Sequence, residues 1–193
     1  MRKLVVTEFL SLDGVYQAPG APDEDREGGF DHGGWQMPYF DDIEMESASK
    51  GMAETDAMLF GRKTFDIFAA YWPNADPEDP FSKHLNGVQK YVASSTLSDP
   101  EWGPTTVIRD VATEVAALKG TDGGTITVLG SGNLVRSLAA NDLVDEYHLS
   151  VYPITLGGGK RLFPDDGAMR KLELTESTPT SKGGLLLTYR PAR

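Results

Sequence analysis

Short apolar, β-branched runs alternate with amphipathic stretches along the whole chain. Leu4 to Leu10, with Val5, Val6 and Thr7, predicts a strand that the pair Asp13-Gly14 closes with a turn. Residues 17–34 are rich in Pro, Gly and acids and predict a long surface loop, of a length that marks a functional or mobile segment. Asp41 to Gly51 predicts a helix with acids in its first turn. Met58-Leu59-Phe60 is a short buried strand, Gly61-Arg62-Lys63-Thr64 a turn, and Thr64 to Phe68 the start of a second helix. The three prolines within 73–80 mark a loop. Lys90 to Ala93 and Thr105 to Arg109 predict strands, and Val111 to Leu118 a helix. Thr125 to Leu129 follows as a strand, then a glycine turn and a helix over Val135 to Ala140. Asp145 to Tyr152 is a strand limited by Pro153, and Gly157 to Arg161 a loop. Leu172 to Ser177 and Leu185 to Arg190 close the chain as two strands around Ser181-Lys182-Gly183-Gly184.

Strands alternating with helices predict an α/β domain with a mixed, mostly parallel sheet. The last two strands, with no helix between them, predict an antiparallel C-terminal edge. The 193 residues suit one domain spanning 1–193, long enough for a full core. With 39% hydrophobic and 24% charged residues the composition is that of an ordinary globular protein. The chain has no cysteine, which excludes disulfides, Cys-ligated zinc and thiol catalysis and is compatible with a cytoplasmic location. The first residues lack a signal-peptide core, and no run reaches the roughly 20 apolar residues of a membrane span. A net charge of −11 argues against nonspecific binding to nucleic acid or anionic membranes. It leaves room for a phosphorylated small molecule, which needs only a local positive cluster.

Three strand ends offer such a place. Leu129-Gly130-Ser131-Gly132-Asn133-Leu134 runs from a strand through a glycine turn into a helix, bringing free N–H groups and a helix N-terminus together. The same turn also serves simple packing. Gly61-Arg62-Lys63-Thr64 sets two cations and a hydroxyl at a second strand-to-helix junction; a solvated basic turn is the alternative. Ser94-Ser95-Thr96 places hydroxyls at a third strand end, where open α/β sheets bind ligands; N-capping of the next segment is the alternative.

In this order the segments resemble the dihydrofolate reductase-like superfamily, and more closely single-domain relatives of the reductase domain of RibD-type riboflavin-biosynthesis proteins. The resemblance runs from residue 4 to residue 190. It is carried by Ser11-Leu12-Asp13-Gly14, Leu59 to Phe65, Lys90 to Leu97, Val128 to Leu134, Asp145 to Leu149 and Leu156 to Phe163. It implies a three-layer α/β/α fold and NADPH bound across the carboxyl edge of the sheet. It implies further that Gly61, Arg62, Lys63 and Thr64, with Gly130, Ser131, Gly132, Asn133 and Leu134, hold the pyrophosphate. Ser94, Ser95 and Thr96 would reach the adenosine 2′-phosphate. The cations Arg62 and Lys63 favour NADPH over NADH, since a 2′-phosphate needs a positive partner. Asp13-Gly14 lies near the nicotinamide end in the family.

In the folate enzymes one acid on the helix before the Gly-Arg-Lys-Thr strand binds the pterin. Here that helix offers Asp41, Asp42, Glu44 and Glu46, most of them a solvated face. Asp13, Asp42 and Glu46 stand as the catalytic candidates. Trp35, Tyr39, Tyr71 and Trp72 are candidates to wall an aromatic substrate slot, with core packing as the alternative. His32, His84 and His148 lack ligand spacing, so no metal is assigned. Lys160, Arg161 and Arg109 are the cations left for a phosphorylated substrate. The expected function is NADPH-dependent reduction of a small heteroaromatic or carbonyl compound; the alternative is a non-catalytic NADP(H)-binding protein. A homodimer is expected from the family, with Tyr147, Leu149, Val151 and Tyr152 as an apolar patch.

Overall fold

The computed structural model describes residues 1–163 and 166–192. Its elements in chain order are β1 (Leu4–Ser11), α1 (Asp42–Glu54), β2 (Thr55–Gly61), α2 (Arg62–Tyr71), α3 (Pro80–Gly87), β3 (Gln89–Ala93) and β4 (Thr105–Ile108). Then follow α4 (Val111–Lys119), β5 (Thr125–Leu129), α5 (Gly132–Ala140), β6 (Glu146–Tyr152), β7 (Leu172–Pro179) and β8 (Leu185–Pro191). The eight strands form one sheet in the order β4-β3-β2-β5-β1-β6-β8-β7. The pairs from β4 to β6 are parallel, whereas β8 runs antiparallel to both β6 and β7, as the closing pattern predicts.

Alternation along the strands sorts side chains to two faces. Leu4, Val6, Leu59, Ile126 and Val128 pack under α4 and α5 through Val115, Val135 and Leu138. Met58, Phe60 and Val92 pack on the other face against Phe65 of α2, Leu85 of α3 and Trp102. The result is helices over both faces of the sheet. No helix among the described residues is long and apolar enough to cross a membrane.

Three expectations need correction. The proline-rich segment runs into a helix, α3. Pro80 sits in its first turn, where a missing N–H costs nothing, and Asp79 caps it by accepting from Ser82 N at 3.0 Å. The basic segment after β2 is not a turn before a helix; Arg62 already begins α2, just as Gly132 begins α5. The 17–34 segment is pinned rather than loose. Ala18 and Phe30 are buried with Trp35, whose indole N–H donates to Gln17 O at 2.8 Å.

Candidate functional site

The sheet parts at its carboxyl edge. β5 ends where Leu129 pairs with Thr7, whereas β1 continues to Ser11 along β6. From Glu8 onward β1 has a strand neighbour on one side only, and at the fork Gly130 N still donates to Thr7 O at 3.4 Å. In open α/β sheets such a divergence is where ligands bind. The cleft that opens here is lined by the starts of α2 and α5, by Glu8 and Tyr16, and by one flank of α1.

The starts of α2 and α5 differ from those of the other helices. Asp41, Asp79 and Asp110 cap α1, α3 and α4, each accepting a hydrogen bond from the first turn. The N-caps of α2 and α5, Gly61 and Ser131, give no side-chain cap. Ser131 uses its hydroxyl to accept from Gly61 N at 2.9 Å, so the two bare ends are tied side by side. Gly130 adopts φ 63°, and a Cβ there would press to 3.2 Å from Thr64 Cγ2. At Gly132 a Cβ would fall 2.5 Å from the Tyr16 ring, so this glycine is fixed by packing as well. Leu134 faces the core, whereas Asn133 is exposed.

Both cations of α2, expected at a phosphate, have acidic partners within the chain. Arg62 Nε donates to Asp66 at 2.8 Å, one turn on in its own helix. Lys63 Nζ donates to Asp25 at 2.7 Å, and Lys160 Nζ meets the same carboxylate at 2.7 Å. Glu27 also bridges the two lysines. Two acids of the 17–34 segment, Asp25 and Glu27, are thus clasped between α2 and the glycine loop after β6. Burial alone would raise the Asp25 carboxyl, but the bonds from Lys160 and Lys63 outweigh it and hold the group at about 2.

Ser94-Ser95-Thr96 lies at the end of β3, beside β2 along the same sheet edge. Ser94 Oγ accepts from Leu97 N at 3.1 Å, which is the local capping role. Ser95 and Thr96 are exposed. Arg109, which the sequence left unplaced, folds its guanidinium onto this segment and donates to the carbonyls of Ser94 and Leu97.

The acid that α1 turns inward is Glu44, only 2% exposed; Asp42 and Glu46 lie on the exposed face. Glu44 accepts from Tyr152 Oη and from Gln36 Nε2 (3.2 Å), and Gln36 also donates to Tyr152 Oη at 2.7 Å. Burial pushes the Glu44 carboxyl up against the opposing pull of these bonds, and burial also pushes the Tyr152 phenol well up. Glu44 Oε2 is buried without a partner among the described residues. Asp13 is committed elsewhere. It accepts from Ser11 Oγ (2.6 Å), Leu156 N (3.1 Å) and Gly157 N (2.9 Å), locking the first turn to the loop after β6. These bonds overcome desolvation and hold it at about 2, so it carries no proton at neutral pH.

The four aromatics do not form one slot. Trp35 is core, edge-on to Tyr152 at 5.7 Å, and Tyr39 packs on the same ring at 6.1 Å. Tyr71 and Trp72 lie together at the far end of α2, and both reach the cleft. From the segment before α1 and from α1 itself, Gln36, Phe40, Ile43 and Glu44 line it instead. Tyr147, Leu149 and Tyr152 are buried within the chain, so they do not form an exposed patch. Among the described residues no cluster of His, Asp and Glu has the geometry of a metal site.

One signal in the sequence pointed further. Leu4, Val6 and Leu10 are inward positions of β1, and Glu8 falls in the same alternation. A charge there is an interruption of a core stripe.

The chain is 32% identical over 139 residues to the uncharacterized protein YyaP of Bacillus subtilis (strain 168), covering 70% of this chain and 74% of that one. Its fold is similar to that of a protein named “Putative riboflavin biosynthesis protein” from Shewanella sp. PV-4, with a TM-score of 0.74, 22% identity and 99% of both chains covered. A pyrimidine reductase-like protein from Corynebacterium diphtheriae NCTC follows with a TM-score of 0.63 at 14% identity, over 99% of this chain and 92% of that one. The family model of the RibD C-terminal domain matches residues 2–186. With that match over nearly its whole length, the chain belongs to the RibD C-terminal domain family.

Proposed function

We propose that this protein is an NADPH-dependent reductase of a small heteroaromatic or carbonyl compound. The observation that carries the reading is the contrast in helix capping. Three other helices carry aspartate caps, while α2 and α5, joined by the Ser131–Gly61 bond, carry none. Uncapped N–H groups and two aligned helix dipoles make a place for a pyrophosphate. The name of the Corynebacterium protein, a pyrimidine reductase-like protein, supports reduction as the chemistry.

The residues present fit a dinucleotide. The first turns of α2 and α5, from Gly61 to Thr64 and from Gly130 to Leu134, would hold the pyrophosphate. Ser95, Thr96 and the Arg109 guanidinium would take a 2′-phosphate, so the discriminating cation is Arg109 rather than the already paired Arg62 and Lys63. When bound, NADPH supplies a hydride. The chain's own part is to exclude water and manage the proton. Tyr152 remains protonated and donates to Glu44, and Gln36 fixes both oxygens in place. Glu44, with its pKa raised by burial, is the group best suited to hold a proton beside the substrate.

A calorimetric titration with NADPH and NADH tests the reading. Tight binding of NADPH with NADH about tenfold or more weaker is expected. Binding of neither overturns it. An NADP(H)-binding protein without turnover would share the phosphate site; the partnerless oxygen of Glu44 favours the reductase, and oxidation of bound NADPH in a screen of heteroaromatic substrates separates the two.

A further inference from the structure

Glu8 has no task in the reading above. It sits on β1 just past the last pair with β5, at the point where the sheet parts. It lines the cleft and is only 2% exposed. Its Oε1 is wholly buried and has no hydrogen-bond partner among the described residues. Its titratable surroundings are Tyr16, packed against Gly132, and beyond the phenol Arg136 of α5 and Asp25. None of them forms an ion pair with it among the described residues. Burial without a cation raises the carboxyl well above its ordinary range and so favours the protonated, neutral acid.

A buried, unpartnered polar atom is costly, and such atoms are found where a ligand completes them. A neutral carboxylic acid offers one donor and one acceptor side by side. The group complementary to that pair is an amide with a free N–H, that is, a primary carboxamide or a ring lactam. A carboxylate in the same place would face an acid that must stay uncharged, and it would be rejected.

We propose that Glu8 reads a carboxamide or lactam on the molecule that enters the parting between β1 and β5. The O–H of Glu8 donates to the amide carbonyl, and its C=O accepts from the amide N–H. The inference rests on the dinucleotide reading for one of its two carriers, the nicotinamide carboxamide. The other carrier is a lactam of the substrate.

The test is calorimetry on the wild type, Glu8→Gln and Glu8→Leu. The ligands are NADP+, its nicotinic acid analogue, 2′,5′-ADP, and uracil as a lactam probe on the free and NADP+-saturated protein. If the cofactor carries the amide, the wild type prefers NADP+ over the nicotinic acid analogue by about tenfold or more. Glu8→Leu then loses that preference while binding 2′,5′-ADP as before, and Glu8→Gln, which keeps a donor and an acceptor, retains most of the NADP+ affinity. If the substrate carries it, NADP+ binding is the same in all three proteins and only uracil binding falls in Glu8→Leu. Glu8→Leu matching the wild type with both NADP+ and uracil overturns the proposal, as does a wild type that binds neither. Failure of 2′,5′-ADP to bind overturns the phosphate site instead and leaves Glu8 to be judged on uracil. Isotope-edited infrared spectra of the free protein add a readout independent of ligand: a protonated-carboxyl band present in the wild type and missing in Glu8→Gln.

Discussion

The hydroxyl of Ser131 accepts a hydrogen bond from the backbone N–H of Gly61 at 2.9 Å, joining the two helix starts of the cleft. Ser131 stands at φ 70°, a conformation costly for any side chain but glycine, and its neighbour Gly130 is at φ 63°. A serine in the N-cap position would ordinarily turn its oxygen onto its own helix. Here that oxygen serves the neighbouring strand, and the N–H groups of α5 stay open.

Two substitutions separate the bond from the backbone. Ser131→Ala loses the bond and keeps the left-handed strain, and is expected to cost about 1–2 kcal/mol in urea unfolding. Ser131→Gly loses the same bond but relieves the strain, so its loss is smaller. Both weaken NADPH binding, because the two helix starts are no longer tied. Equal stability of Ala and Gly variants would show that the strain is not stored here.

The Asp25 clasp ties part of the acid stability to its carboxyl. Its carboxyl sits at about 2 in the folded protein, below its ordinary value near 4. A depressed carboxyl contributes stability that is fully present above pH 4 and is lost as pH falls from there through about 2. Asp25→Asn is expected to reduce stability at pH 6 by about 1–2 kcal/mol and to flatten the acid limb of the profile. Urea midpoints between pH 6 and pH 2.5 check it; parallel profiles for wild type and variant would remove the role.

Much of this was legible in the chain because apolar alternation is strong in β1, β2 and β5, and because glycine and acid punctuation marks the helix starts. The antiparallel edge follows from two strand patterns with only Ser181-Lys182-Gly183-Gly184 between them. What escaped depends on distance in space rather than in sequence. Asp25 and Glu27 look like loop charges until Lys63 and Lys160 are brought beside them. Asp41 and Glu44, three apart at a helix start, look like a capping pair, and only the fold shows that Glu44 turns onto Tyr152, 108 residues later. The prolines of 73–80 suggest a loop, since Pro80 inside the first turn of α3 cannot be told from Pro80 before it without the helix.

Tyr152→Phe tests the Glu44 group. The phenol donates to the carboxylate, which favours the charged form, so its removal is expected to drive the Glu44 carboxyl further up. It should also cost about 1–3 kcal/mol of stability, because a buried acceptor loses its donor. Carboxyl chemical shifts followed through a pH titration read the first effect. A lower or unchanged midpoint for Glu44 would show that Tyr152 does not govern its proton.

Lys90 holds a charge where the sheet is fully closed. It is wholly buried on β3, and its ammonium donates to Leu85 O at 2.8 Å and Val88 O at 2.9 Å, at the C-terminal end of α3. It also lies 4.5 Å from the centroid of the Trp102 ring. The carbonyl end of the helix and the ring face both favour a cation, yet burial outweighs them and brings the amine down to about 8. The unfolded chain holds that proton to about 10.4, so between pH 8 and 10.4 the unfolded state binds more protons than the folded one. Stability attributable to Lys90 therefore rises with pH across that window, and the neutral amine still donates to the helix carbonyls. Lys90→Met leaves those carbonyls without a donor and is expected to cost about 1–3 kcal/mol at pH 7. The gap should widen toward pH 10, because only the wild type gains. Urea unfolding of both proteins from pH 7 to 10 measures it; a gap that stays constant would mean that Lys90 does not titrate in the folded protein within that range.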